Sequence, residues 1–165
     1  MRKRTLIGLF VIAVLLGGGA ATVFAITPAE IERSQNKVVP VPLDITPAAQ
    51  ALQATLDVAD MHADSLLWQR DLLERSDRGH VDLPRLVEGH YALQVFSSVT
   101  KSLKGQNYEA NGADSDTISG LVRIQLQPAS TWTSLLQRSL FHAQKLHGFA
   151  GASQGRLRVI ATPQD

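Results

Sequence analysis

The sequence predicts an α/β domain with parallel strands, set behind an apolar N-terminal segment. Two observations carry this. Short β-prone runs alternate with helix-prone ones in the order strand, helix, strand, helices, strand, the pattern of layered α/β folds. The first residues, by contrast, combine a basic cluster with a long run free of charge.

That opening segment is Met1-Arg-Lys-Arg4 followed by Leu6 to Ile26 without a charged residue. Twenty-one residues at about 1.5 Å each reach about 31 Å, enough to cross a hydrocarbon core of about 30 Å. Residues 1–26 are therefore expected to form a transmembrane anchor or signal segment. The basic side stays cytoplasmic, which puts the rest of the chain in the periplasm or outside, tethered to the inner (cell) membrane. Val23-Phe24-Ala25 fits a cleavage site, so secretion after signal cleavage is the rival reading. The apolar stretch exceeds a usual signal core and favours retention.

Residues 27–44 read as a linker, with Pro28, Pro40 and Pro42 around a polar stretch from Glu30 to Lys37 that has room for one or two helical turns. Pro47 follows Thr46, a candidate N-cap, and begins a helix expected to pack Leu52 and Leu56 inward. Val58 to His62 reads as a strand and Ser65 to Leu73 as helical. Asp82 to Glu88 forms a helical turn or two, capped by Asp82 and stopped by Gly89. Tyr91 to Val99 is a strand by its β-branched and aromatic content. Lys101 to Asp116 is a polar loop, and Thr117 to Gln127 is helical up to Pro128. Trp132 to Phe149 is the clearest helix, with an inward stripe of Leu135, Leu136, Ser139, Leu140, Ala143, Leu146 and Phe149. Leu157 to Ile160 is a final short strand.

Composition narrows the function classes. There is no cysteine among the 165 residues, so disulfides, thiolate metal sites and thiol nucleophiles are excluded within this sequence. Removing Arg2, Lys3 and Arg4 from the 16 basic residues leaves 13 against 15 acidic ones, a formal charge of −2. That is no nucleic-acid footprint, which needs clustered Lys and Arg. Gly-x-Ser-x-Gly and a phosphate-binding glycine loop with lysine are both absent.

The most informative residues lie in Ala59-Asp-Met-His-Ala-Asp64. In a strand alternate residues share a face, so His62 and Asp64 point the same way, with Asp60 one step earlier. An imidazole nitrogen beside a carboxylate oxygen starts a zinc site with bonds of about 2.0–2.2 Å. By itself His-x-Asp is weak, and a hydrogen-bonded or solvated pair at a strand end explains it better. His80-Val-Asp82 repeats the spacing, but Asp82 is accounted for as a helix cap. His142 and His147 lie about 140° apart on a helix and do not form an i, i+4 zinc pair. A structural or solvated role accounts better for His80, His90, His142 and His147, and Trp68 and Trp132 read as core or interface aromatics.

Read as a unit, the segment is more specific. Val58-Ala-Asp-Met-His-Ala-Asp-Ser-Leu-Leu-Trp68, Arg70-Asp-Leu-Leu-Glu-Arg75, Gly79-His-Val-Asp-Leu-Pro-Arg-Leu-Val-Glu-Gly89 and Ala92-Leu-Gln-Val-Phe96 follow one another. In that order they resemble the opening of the membrane dipeptidase (renal dipeptidase) family. The resemblance runs from about Ile45 and is strongest between Val58 and Val99. It implies the N-terminal part of a (β/α)8 TIM-type barrel over residues 45–165, and a zinc metallopeptidase that hydrolyses dipeptides at a two-zinc centre. His62 and Asp64 match the family's first-strand ligands of one metal, and no catalytic residue is carried over. The metals would acidify water and polarise the scissile carbonyl.

From Ile45 to Asp165 there are 121 residues, whereas a complete barrel takes roughly 250. The sequence thus reads as a truncated barrel, expected to be inactive alone because the family's later ligands are missing. The alternative is a non-catalytic, membrane-tethered extracytoplasmic module for binding or assembly. Expected partners are a dipeptide substrate for the full-length parent and the membrane through residues 6–26, with no nucleic acid. Oligomeric state is left open.

Overall fold

The computed structural model describes Val14, residues 17–19 and residues 27–165. Its sheet consists of two parallel strands, β1 (Val58–Ala63) and β2 (Tyr91–Phe96). Val58 pairs with Tyr91, Asp60 with Gln94 and Ala63 with Phe96, with register irregularities between them. Val58 N–H donates to His90 O at 2.9 Å on entry, and Ser97 N–H donates to Ala63 O at 2.9 Å on exit. Both strands therefore end on the same side. Parallel pairing requires a crossover, and the connection runs through the 3-10 turn Ser65–Leu67, an irregular loop and helix α3 (Leu83–Glu88).

Helix α1 (27–35) precedes α2 (Pro47–Gln53), and α4 (Ile118–Ile124), a 3-10 turn (Ala129–Thr131) and α5 (Leu135–Ala152) follow the sheet. Local signals place several boundaries. Thr46 Oγ1 accepts Ala49 N–H at 3.2 Å, and Asp82 Oδ1 accepts Arg85 N–H at 3.0 Å. Each removes one of the unpaired donors at a helix start. Ser134 Oγ does the same for Gln137 N–H at 3.3 Å. The apolar centre is Leu67, Trp68, Ile118 and Val122, with Val99 and Leu121 packed against it.

The expected barrel and its preceding transmembrane helix are not what the described residues form. Among the described residues the sheet holds two strands, and residues 157–160, expected as a strand, form none. A small α/β domain with a two-stranded parallel sheet is the architecture. The N-terminal transmembrane helix expected over residues 6–26 lies, apart from Val14 and residues 17–19, outside the described residues. No helix among the described residues is long and apolar enough to cross a membrane.

Two side-chain expectations also change. Helix α2 buries none of its residues, and Leu52 is 61% exposed. Helix α5 turns a different face inward: Arg138 and His142 are buried, while Leu135, Leu136 and Leu140 are exposed. The reason is a polar hub. Arg138 Nε donates to Thr131 O (2.7 Å), Nη1 to Thr100 O and Asp116 Oδ2 (2.7 Å), and Nη2 to Ser119 Oγ (2.8 Å) and Trp132 O (2.7 Å). Every N–H of the guanidinium has an acceptor, which is what makes a buried charge tolerable.

The stretch expected as a linker contains α1, and α1 is tied to the body of the fold. Glu32 is 1% exposed; its Oε2 accepts Arg78 Nε at 3.1 Å, and its Oε1 lies 3.0 Å from Arg70 Nε. Gly79 N–H donates to Asn36 O at 2.7 Å, and Gln125 Nε2 donates to Pro28 O at 3.1 Å. Gly79 has a φ of +69°, and a Cβ there would meet the Arg70 guanidinium at 2.7 Å. Only glycine meets both conditions.

Candidate functional site

His62 is the penultimate residue of β1 and Asp64 directly follows the strand, so both stand at the carboxyl end of the parallel pair. In open α/β sheets ligands bind in the crevice outside that end. His62 Nε2 lies 3.2 Å from Asp64 Oδ1, and both side chains are open to solvent. The two expected site residues are therefore brought together.

Neighbours hold the pair in place. Asp60 Oδ1 accepts the His62 backbone N–H at 3.1 Å. That bond first, and then the Gln94 amide, hold the Asp60 carboxyl below the usual carboxylate range. Ser97, just past the end of β2, donates through Oγ to Asp64 Oδ1. Sequence reasoning missed Ser97, although its place one residue beyond an expected strand terminus was readable.

The donor set partly fits zinc. Two ligands with bonds of about 2.0–2.1 Å in a tetrahedral shell stand about 3.3 Å apart. The 3.2 Å between His62 Nε2 and Asp64 Oδ1 matches that edge. Among the described residues, however, no group of three or more His, Cys, Asp or Glu side chains converges on one point. A catalytic zinc takes three protein ligands and a water. The pair supplies two donors, fewer than such a site uses.

His80-Val-Asp82 is not drawn into it. Asp82 is fully buried, and besides Arg85 N–H it accepts Ser76 N–H at 3.1 Å. His80, His90 and His147 are exposed.

His142 is different. It is 1% exposed on α5, its Nδ1 lies 2.8 Å from Ser98 Oγ, and its Nε2 has no hydrogen-bond partner. Ser98 adjoins Ser97, so this contact fixes α5 against the end of β2 beside the His62–Asp64 pair. Burial first, then the cations Lys145 and Arg138, push the His142 imidazole down to about 4. The folded state thus keeps a neutral ring where the unfolded chain protonates near 6.5. Its contribution to stability is complete above about pH 6.5 and is lost as pH falls towards 4, up to about 3 kcal/mol. Urea unfolding at pH 7 and at pH 4.5 should show this loss, and His142→Gln should show a smaller pH dependence than the parent chain. An equal dependence in both would contradict the assignment.

Comparison with known proteins adds no relative: no family model, curated protein or solved structure matches this chain.

Proposed function

We propose that His62 and Asp64 are two ligands of a zinc site serving the hydrolysis of dipeptides, as the resemblance to the membrane dipeptidases implies. The observation that carries the proposal is their 3.2 Å approach at the carboxyl end of the parallel strands. Zinc bound there would act as a Lewis acid on the scissile carbonyl and lower the pKa of water.

The chain's own residues do the positioning. Asp60 fixes the backbone at His62, and Ser97 holds the Asp64 carboxylate through Oδ1. The open faces of both side chains leave room for substrate. Two donors do not complete a catalytic shell, which takes three protein ligands and a water. By itself the 165-residue chain is accordingly expected to hydrolyse dipeptides no faster than background.

A phosphinic dipeptide analogue tests the reading without requiring turnover, because it mimics the tetrahedral transition state of peptide hydrolysis. The zinc-loaded chain should bind it at least about tenfold more tightly than the zinc-free chain, an increment of about 1.4 kcal/mol. His62→Ala and Asp64→Ala should each remove that difference. Binding that ignores zinc, or that survives intact in both variants, would favour a non-catalytic module instead.

A further inference from the structure

Two features of the fold, independent of the zinc reading, match one another. The first is a groove of about 490 Å³ along β2, walled by the strand itself, by residues 155–160 and by Leu86 and Leu146. β2 pairs with β1 on one edge, and among the described residues no strand covers the other. Tyr91, Val95 and Ile160 line the groove and are exposed. An open edge of this kind is a template for one more strand. The second feature is an arm, residues 38–46, that is neither helix nor turn. Its Val39, Val41, Leu43 and Ile45 are each more than half exposed. They are spaced two apart, so in an extended chain they form a single apolar face. Pro40 and Pro42 keep Val39 and Val41 extended, because the residue before a proline is held out of the helical region.

We propose that the arm of one copy of this chain docks as an added strand on β2 of a second copy, and that the exchange is reciprocal, giving a two-fold dimer. No arm residue lines the groove of its own chain. Alternate residues of a strand present their backbone groups to opposite edges, so the register that turns Val39, Val41 and Leu43 toward β2 turns Pro40 and Pro42 away. Neither proline then removes a bond from the new ladder. Charge agrees with this pairing. Asp44 is the arm's one charged residue. The groove wall offers Arg156, whose Nε donates to Ser153 O at 3.2 Å and which has no acidic partner among the described residues. Arg158, on the same wall, is already paired with Asp165. Size agrees as well: the arm, β2 and residues 155–160 give roughly twenty residues per copy, the lower end of the 20–30 a side in stable interfaces.

Sedimentation of the full chain in detergent solution, over a micromolar concentration series, should show a monomer–dimer equilibrium. Val41→Asp puts a charge into the docked face, and Val41→Pro removes the N–H aimed at β2. Each should weaken the dimer at least about tenfold, whereas Pro42→Ala, on the opposite edge, should leave it unchanged. Val41 is exposed in the single chain, so its variants should keep the fold. The chain has no cysteine, so the contact can also be read directly. Val41→Cys copies mixed with Val95→Cys copies should be joined by a short bismaleimide, with a yield that falls on dilution. A monomer at every concentration, or a dimer that both Val41 variants leave intact, would overturn the proposal. So would a Val41→Cys/Val95→Cys double variant that is joined within one chain at every dilution, since the arm would then fill its own groove.

Discussion

Arg138→Met should destabilise the fold by about 3–5 kcal/mol, the cost of breaking a buried, hydrogen-bonded charge pair by removing one partner. Arg138 is fully buried, and its guanidinium joins α5 to the segments at Thr100, Asp116, Ser119 and Thr131. Methionine fills the space and leaves those acceptors facing an apolar chain. Asp116 is affected as well. Burial acts to raise its carboxyl, but Arg138, Ser119 and the Ile118 N–H together outweigh it and hold the group below the usual range. A native domain is stable by about 5–15 kcal/mol, so the loss is a large share. Urea denaturation should show a lower midpoint, and Asp116→Asn in the Arg138→Met background should cost much less than it does alone. Additive losses would show that the pair is not coupled.

Glu32→Ala should cost about 3–5 kcal/mol by the same physics, with a different local consequence. The carboxylate faces Arg70 and Arg78, and Arg70 is itself buried. Without Glu32 the Arg70 guanidinium keeps bonds to Arg78 O, Val81 O and Ser65 Oγ but loses its counter-charge. Helix α1 would then be held by the Gly79–Asn36 and Gln125–Pro28 bonds and the exposed Arg33–Asp77 pair. Hydrogen exchange should accelerate over residues 27–37 before it does in β1 and β2. The double variant Glu32→Leu/Arg70→Leu should recover part of the loss, since an apolar pair carries no desolvation cost. Undiminished protection of residues 27–37 in Glu32→Ala would contradict this account of the N-terminal docking.

What was legible in the sequence was local. Thr46 before Pro47 and Asp82 before Leu83-Pro84 announced helix starts, because capping chemistry needs only a side chain and a backbone a few residues away. Val58 to His62 and Tyr91 to Val99 held the strand positions to within a few residues. The approach of His62 to Asp64 followed from residue spacing at a strand end. What was not legible depended on partners distant in sequence. The leucine stripe of α5 lost to Arg138 because acceptors at Thr100, Asp116 and Thr131 converge on the other face. Helical turns between Glu30 and Lys37 were expected, but not their docking, which depends on Glu32 finding cations at Arg70 and Arg78. Leu157 to Ile160 has strand composition without strand pairing among the described residues, and composition alone does not supply a neighbour. The barrel failed for a related reason: motif order carried the expectation, while a two-stranded sheet is what forms.

Zinc binding to the full chain, followed by isothermal titration calorimetry in the parent, His62→Ala and His80→Ala, decides whether His62 and Asp64 hold a metal. One weak site is expected in the parent, because two protein donors are fewer than a complete shell uses. His62→Ala should abolish it, a larger effect than the roughly 10–100-fold that follows loss of an outer-shell partner. His80→Ala, altering an exposed histidine outside the pair, should bind as the parent does. Equal zinc binding by the parent and His62→Ala, or its loss in His80→Ala alone, would contradict the assignment of His62 and Asp64 as the metal-binding pair.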